Sequence, residues 1–259
     1  MNKKDENFFE GKKALVVGGT GGIGREISIL LAENGAGLVI HGSKLGEKTE
    51  SLKREILQKT EKIPHIIAQN LLDVPFDELK SSELFESARE CDILCLCFGP
   101  FVQKPLHETS LLDWQKVALY DYALPGFLLS SALPQMMKKK FGRILLFGGT
   151  GTGHRSEFST NAAYAGAKSG LTVLAASTAA NYARFGITCN AILPGFVETE
   201  YLSEEQKFNL SSKMPFGEMV SIRSIAKSAL FLLKNADING TTLRVDGGWS
   251  PSVFQKKKS

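Results

Sequence analysis

Cysteine is scarce in this chain. Four residues of 259, Cys91, Cys95, Cys97 and Cys189, make no extracellular disulfide framework in a protein this long. The first three fall at odd positions of one apolar run, so on a strand they would share a face. With no fourth ligand nearby, small buried hydrophobes are expected there rather than a metal site. Long apolar runs are also missing, and none reaches the roughly 18–20 residues of a membrane span. Residues 1–10 are polar and lack the apolar stretch of a signal peptide, so a soluble, cytoplasmic protein is expected. Excess charge is small: 31 Lys and Arg stand against 27 Asp and Glu. Lys256, Lys257 and Lys258 supply three of the four excess positive charges, which leaves a nearly neutral body. That balance argues against a nucleic-acid-binding surface. No Pro- or Ser-rich linker and no internal repeat divides the sequence.

What is present is ordinary globular composition, 43% hydrophobic and 22% charged, in a chain long enough to bury a core unaided. Short apolar or β-branched runs alternate with longer helical patterns. Strands are expected at 14–17, 38–41, 65–68, 92–97, 143–147, 188–193 and 242–245. Helices are expected at 22–34, 46–59, 111–137 (despite Pro125), 162–184 and 222–233. Such alternation implies a parallel sheet covered on both faces. The expected architecture is one doubly wound α/β domain over 11–250, with a polar tail at 1–10 and a basic one at 251–259.

Between the first strand and its helix runs Gly18-Gly19-Thr20-Gly21-Gly22-Ile23-Gly24. Glycines there allow a sharp turn and close approach of a ligand. The helix start behind them offers free N–H groups and the positive end of its dipole to a phosphate. After the first strand of a βαβ unit, this run points to a dinucleotide. At the end of the second strand an NAD site would offer an acid to the ribose 2′-hydroxyl. No acid occurs between Glu33 and Glu47, and the segment reads His41-Gly42-Ser43-Lys44. A hydroxyl and a cation at Ser43 and Lys44 suit a 2′-phosphate, so NADP(H) is favoured over NAD(H).

Tyr164 and Lys168, four residues apart, lie on one helix face. An adjacent ammonium would lower a tyrosine pKa of about 10 and let the phenol trade a proton with a carbonyl or hydroxyl oxygen. Together with the glycine turn, Pro194-Gly195 and the closing Val245-Asp246-Gly247-Gly248, this pair resembles the short-chain dehydrogenase/reductase family. Within that family the likeness is strongest to 3-oxoacyl-[acyl-carrier-protein] reductase-like members. The resemblance covers nearly the whole chain and implies a Rossmann fold. It also implies a cofactor site of Gly18, Thr20, Gly21, Gly22, Ile23, Gly24, Ser43, Lys44, Asn70, Leu71, Phe98, Gly99, Tyr164, Lys168, Pro194, Gly195, Val197 and Thr199.

The pattern departs from the family at several places. Val17 stands where a threonine is usual, Asn70 where an Asp is usual, and Leu96-Cys97-Phe98-Gly99 replaces Asn-Asn-Ala-Gly. Asp121 aligns with the asparagine that supports a water near the lysine; its carboxylate could accept from that water and would pull on Lys168. Gly149 aligns with the substrate-orienting serine. Thr150 or Thr152 is expected to offer the missing hydroxyl, with Ser156 and Ser159 further along. His154 and Arg155 lie in the same loop, where a solvated position is the plain expectation although contact with an anionic substrate is open. His107 and Trp114 are read as packing or surface residues.

The expected activity is NADP-dependent reduction of a ketone, with a 3-oxoacyl thioester among the candidates, or oxidation of a secondary alcohol. Tyr164 would be the acid/base, Lys168 its supporting cation and Asp121 part of a water relay. The altered serine position leaves a second reading open: an NADP(H)-binding protein with a sensing or scaffolding role. Residues 200–215 read as a lid over the substrate. The 111–137 and 162–184 helices are apolar round much of their circumference, which points to a homodimer or homotetramer. No metal, nucleic acid or membrane partner is expected.

Overall fold

The computed structural model describes residues 7–153, 155, 157–199 and 202–249. The tail lysines, His154, Ser156 and the first two residues of the expected lid lie outside them. Seven parallel strands, β1 (Lys13–Val17), β2 (Gly37–Gly42), β3 (His65–Ala68), β4 (Ile93–Leu96), β5 (Gly142–Phe147), β6 (Ile187–Pro194) and β7 (Thr242–Val245), form one sheet. Their order is β3-β2-β1-β4-β5-β6-β7. Every residue of β4, β5 and β6 is buried, as continuous apolar runs in a doubly covered parallel sheet must be. Among the described residues there are eight α-helices: α1 (Gly22–Glu33), α2 (Glu47–Thr60), α3 (Glu83–Glu90), α4 (Leu111–Ala118), α5 (Leu124–Lys139), α6 (Ala162–Tyr182), α7 (Glu204–Ser211) and α8 (Ile222–Lys234).

Two apolar layers sandwich the sheet. One carries Ile27, Leu31, Leu52, Ile225 and Leu232 from α1, α2 and α8 against Val16, Ile40 and Leu145. The other carries Phe85, Leu128, Met136, Leu171 and Ala175 from α3, α5 and α6 against Leu15, Leu94 and Ile144. The cysteines divide between them. Cys91 precedes β4 and packs in the second layer, while Cys95 and Cys97 pack in the first. Cys91 therefore does not share their face, contrary to the expectation from one continuous strand.

The 111–137 segment is helical but not uniform. A π-turn over Leu119–Ala123 separates α4 from α5, and Pro125 sits in the first turn of α5. Proline has no N–H to continue the i→i−4 ladder, so the break falls in the turn before it. Asp121 is carried inward by that turn and is fully buried. Strand order reverses between β1 and β4, which opens a crevice at their carboxyl ends. Among the described residues no helix is long and apolar enough to cross a membrane.

Candidate active site

The glycine run forms the floor of the crevice. Gly18 adopts φ +74° and Gly22 φ +49°, values that glycine tolerates and other residues rarely do. A Cβ on Gly24 would strike the Gly18 carbonyl oxygen, whereas one on Gly22 would meet only open space. Gly21 is the N-cap of α1, which has no side-chain cap and no acid in its first turn. An uncapped helix start facing open space is a fitting cradle for a pyrophosphate. The imidazole of His41 braces the loop: the Gly18 N–H points at Nδ1 (3.3 Å) and Nε2 lies 2.8 Å from the Gln69 carbonyl. Burial lowers the His41 pKa, only partly opposed by the Gln69 carbonyl.

The nucleotide end is a cavity of about 320 Å³ lined by the glycine loop and by His41, Gly42, Ser43, Gln69, Asn70, Leu71, Cys97, Phe98 and Thr199. Among the described residues no acidic side chain lines it. The side chain of Thr20 fills the place a Cβ on Gly42 would need, so Ser43 is the first residue beyond β2 to present a side chain there. Lys44 is exposed and lies beyond the lining residues. Asn70 caps a turn: Oδ1 accepts from the Leu72 N–H and Nδ2 donates to Asp73. One N–H and one lone pair of its amide are thus engaged.

The groove continues into a middle cavity of about 390 Å³, where Ile23, Phe98, Gly99, Gly149, Thr150, Tyr164, Lys168, Pro194, Gly195, Val197 and Thr199 meet. Lys168 is buried, and its Nζ lies 3.1 Å from Oδ1 of Asp121. Beyond that ion pair neither Asp121 oxygen has a hydrogen-bond partner among the described residues, which leaves lone pairs for a water. Gly99 has no room for a side chain, since a Cβ there would collide with that same Oδ1. Burial raises the Asp121 pKa to about 6 while Lys168 pulls it back. Tyr164 corrects one expectation. Its phenol is pushed up, first by burial and then by the Asp121 charge, whereas the sequence pointed to lowering by Lys168. The Lys168 Nζ stands 5.8 Å from the Tyr164 ring centroid, with Asp121 beside it.

The two threonines offered as stand-ins for the serine separate. Thr152 accepts from the Gly149 N–H (3.2 Å) and donates to the Gly149 carbonyl (2.8 Å), and it lines neither the middle nor the outer cavity. Thr150 lines both, and its hydroxyl donates to the Gly195 carbonyl at 3.2 Å. A Cβ on Gly149 would come within 2.9 Å of Cε1 of Tyr164. The tyrosine ring therefore leans into the place a serine would take.

The outer cavity, about 480 Å³, is lined by Phe101, Gln103, Thr150, Arg155, Phe158, Ser159, Asn161, Tyr164, Phe196, Trp249 and residues of α7, with others. The Phe101 ring stands edge-on to Tyr164, centroids 4.9 Å apart. Sequence reasoning did not find Phe101, Gln103, Asn161, Phe196 or Trp249, because they come from four separate loops. Asn161 alone carried a signal, as the residue before a helical run, although its side chain does not cap α6. Arg155 lines the wall rather than standing in a solvated loop.

Comparison with known proteins agrees with this architecture. A family model described as enoyl-(acyl carrier protein) reductase matches residues 18–250. The 3-oxoacyl-[acyl-carrier-protein] reductases of Aquifex aeolicus and of Escherichia coli are each 32% identical, over 93% of this chain and 98% of theirs. A D-beta-hydroxybutyrate dehydrogenase of Rhizobium meliloti is 28% identical, over 92% and 98%. Among solved structures, a short chain dehydrogenase/reductase family protein aligns with TM-score 0.78 and 27% identity, over 93% of this chain and 97% of that one. A 3-oxoacyl (acyl-carrier-protein) reductase of Agrobacterium tumefaciens with NADP bound aligns with TM-score 0.84 over 96% and 98%; at 24% identity it speaks for the fold alone. The chain belongs to the short-chain dehydrogenase/reductase family of oxidoreductases.

Proposed function

We propose that the protein is an NADP-dependent enzyme that reduces a ketone, or oxidises the corresponding secondary alcohol, with Tyr164 as acid/base. One observation carries the reading: Tyr164 and Thr150 line both the middle cavity and the outer one, where cofactor and substrate spaces meet. The residues present fit the cofactor. The open space over Gly22 and the uncapped start of α1 suit a pyrophosphate, and Ser43, in a lining with no acid among the described residues, suits a 2′-phosphate. When bound, the cofactor supplies hydride; the chain supplies position and charge.

In reduction the Tyr164 phenol gives its proton to the substrate oxygen, and its raised pKa keeps it protonated for that role. Thr150 orients that oxygen in place of the absent serine. Lys168 would bind the nicotinamide-side ribose. Asp121 holds Lys168 and, through water, passes on the proton that returns to the phenolate. Likeness to the 3-oxoacyl-[acyl-carrier-protein] reductases brings 3-oxoacyl thioesters into the set of carbonyls to be tested.

The test is NADPH consumption with β-ketoacyl thioesters, oxo acids, sugars and small ketones, followed by absorbance. Turnover of any carbonyl supports the reading. The absent hydroxyl at Gly149 and the Asp121 anion beside Lys168 favour a second one, binding of NADP(H) without chemistry. Calorimetry showing tight NADPH binding, with no turnover across the panel, would select it.

A further inference from the structure

The roles above leave Arg155 unused. Among the described residues lining the outer cavity it is the one with a permanent charge, and no Asp or Glu lies there. No acid among the described residues forms an ion pair with it. Its guanidinium stacks on Phe158 at 4.8 Å and faces the Trp249 ring at 5.9 Å. Trp249 in turn stands against Phe196 at 5.1 Å. The loop is shaped around the side chain. Gly151 has φ +81°, a Cβ on it would sit 3.0 Å from Cδ of Arg155, and the Arg155 N–H donates to the Gly151 carbonyl at 3.0 Å.

Stacking engages the faces of a guanidinium and leaves its in-plane N–H groups free, the geometry that recognises a carboxylate. A cation held among aromatic rings with no partner acid is an anion site in a medium that strengthens the attraction. We propose that the outer cavity selects an oxo acid or hydroxy acid whose carboxylate pairs with Arg155. Its apolar body lies against Phe101, Phe158, Phe196 and Trp249. A neutral ester or thioester of the same chain leaves the cation unmatched. This names the substrate class and rests on the proposed carbonyl chemistry at Tyr164.

The experiment compares kcat/KM for 4-oxopentanoate, 5-oxohexanoate and 4-oxo-4-phenylbutanoate with that for their methyl esters. Acetoacetate is compared in the same way with S-acetoacetyl-N-acetylcysteamine. The parent should favour at least one acid over its neutral partner by about 10–100-fold, the range of one charge-assisted hydrogen bond. Arg155→Met should bring that ratio close to one, and Arg155→Lys should restore part of it. A residue that merely braced the loop would lower acid and ester alike and leave the ratio standing, which would overturn the proposal. So would a parent that prefers every neutral partner.

A second arm needs no turnover. Calorimetry with 3-phenylpropanoate and 3-phenylpropanamide should show binding of the acid alone, lost in Arg155→Met. Equal binding of both, or an acid that binds the variant as well as the parent, would overturn the assignment. Absence of carbonyl turnover combined with Arg155-dependent acid binding would refute the proposed chemistry and leave the anion site intact.

Discussion

Gly149 and Ser43 decide opposite ends of the groove, and each makes a sharp prediction. Restoring a serine at 149 looks like repair, but its Cβ would approach Tyr164 Cε1 to 2.9 Å and Thr152 Cγ2 to 3.2 Å. Overpacking of that kind costs about 1–3 kcal/mol, so Gly149→Ser should lower Tm by roughly 2–10 °C and lower turnover with it. Faster turnover at unchanged Tm would contradict the packing described. At the other end, Ser43→Asp places a carboxylate where a 2′-phosphate is read. The NADPH-to-NADH preference should then fall by about tenfold or more, measured as the ratio of kcat/KM. At this scale the sequence was informative where chemistry is local. The glycine run and the four-residue spacing of Tyr164 and Lys168 need no tertiary knowledge. Thr150 and Thr152 could not be told apart, because hydrogen bonds to Gly195 and Gly149 decide which hydroxyl faces the groove. Arg155 was likewise illegible: its setting depends on Trp249, 94 positions away in the sequence.

The π-turn between α4 and α5 sets Asp121 against Lys168. Helical periodicity marks 111–137 as one element, and Pro125 warns of a break, but neither says that the widened turn will bury an acid against Lys168. α3 escaped notice for a different reason. Eight residues with an apolar face of only Leu84, Phe85 and Ala88 give too short a period to read. Asp121 predicts a pH signature. Its folded pKa, about 6, lies above the ordinary value of about 3.9. The group therefore favours the fold most below pH 4, and that contribution is lost as pH rises through 6. Asp121→Asn removes this titration, so the difference in Tm between variant and parent should move in the variant's favour from pH 4 to 7. A parallel pair of stability curves would rule out the assignment. The variant also removes the anion that raises Tyr164, so the limb of the oxidation pH–rate profile that reports the phenolate should shift to lower pH.

At the scale of the whole molecule, alternation of strands and helices was enough to give the sheet and its two layers. The outer surface is harder to read, and it carries one more expectation. Trp114, Tyr122, Phe127 and Val173 are partly or largely exposed on α4, the π-turn, α5 and α6, more apolar surface than one monomer needs there. We propose that this face packs on a second copy of the chain; light scattering should give a dimer or tetramer, and Val173→Arg should shift it toward monomer. A monomer at high concentration would refute this. The proposed chemistry stands on a phenol at the junction of two cavities, with a buried ammonium lining the inner one. Its most direct test is single-turnover oxidation of NADPH with a carbonyl substrate by the parent and by Tyr164→Phe. The variant's rate should fall by about 10²–10⁴-fold, the contribution of a positioned acid; a rate equal to the parent's would contradict the central claim.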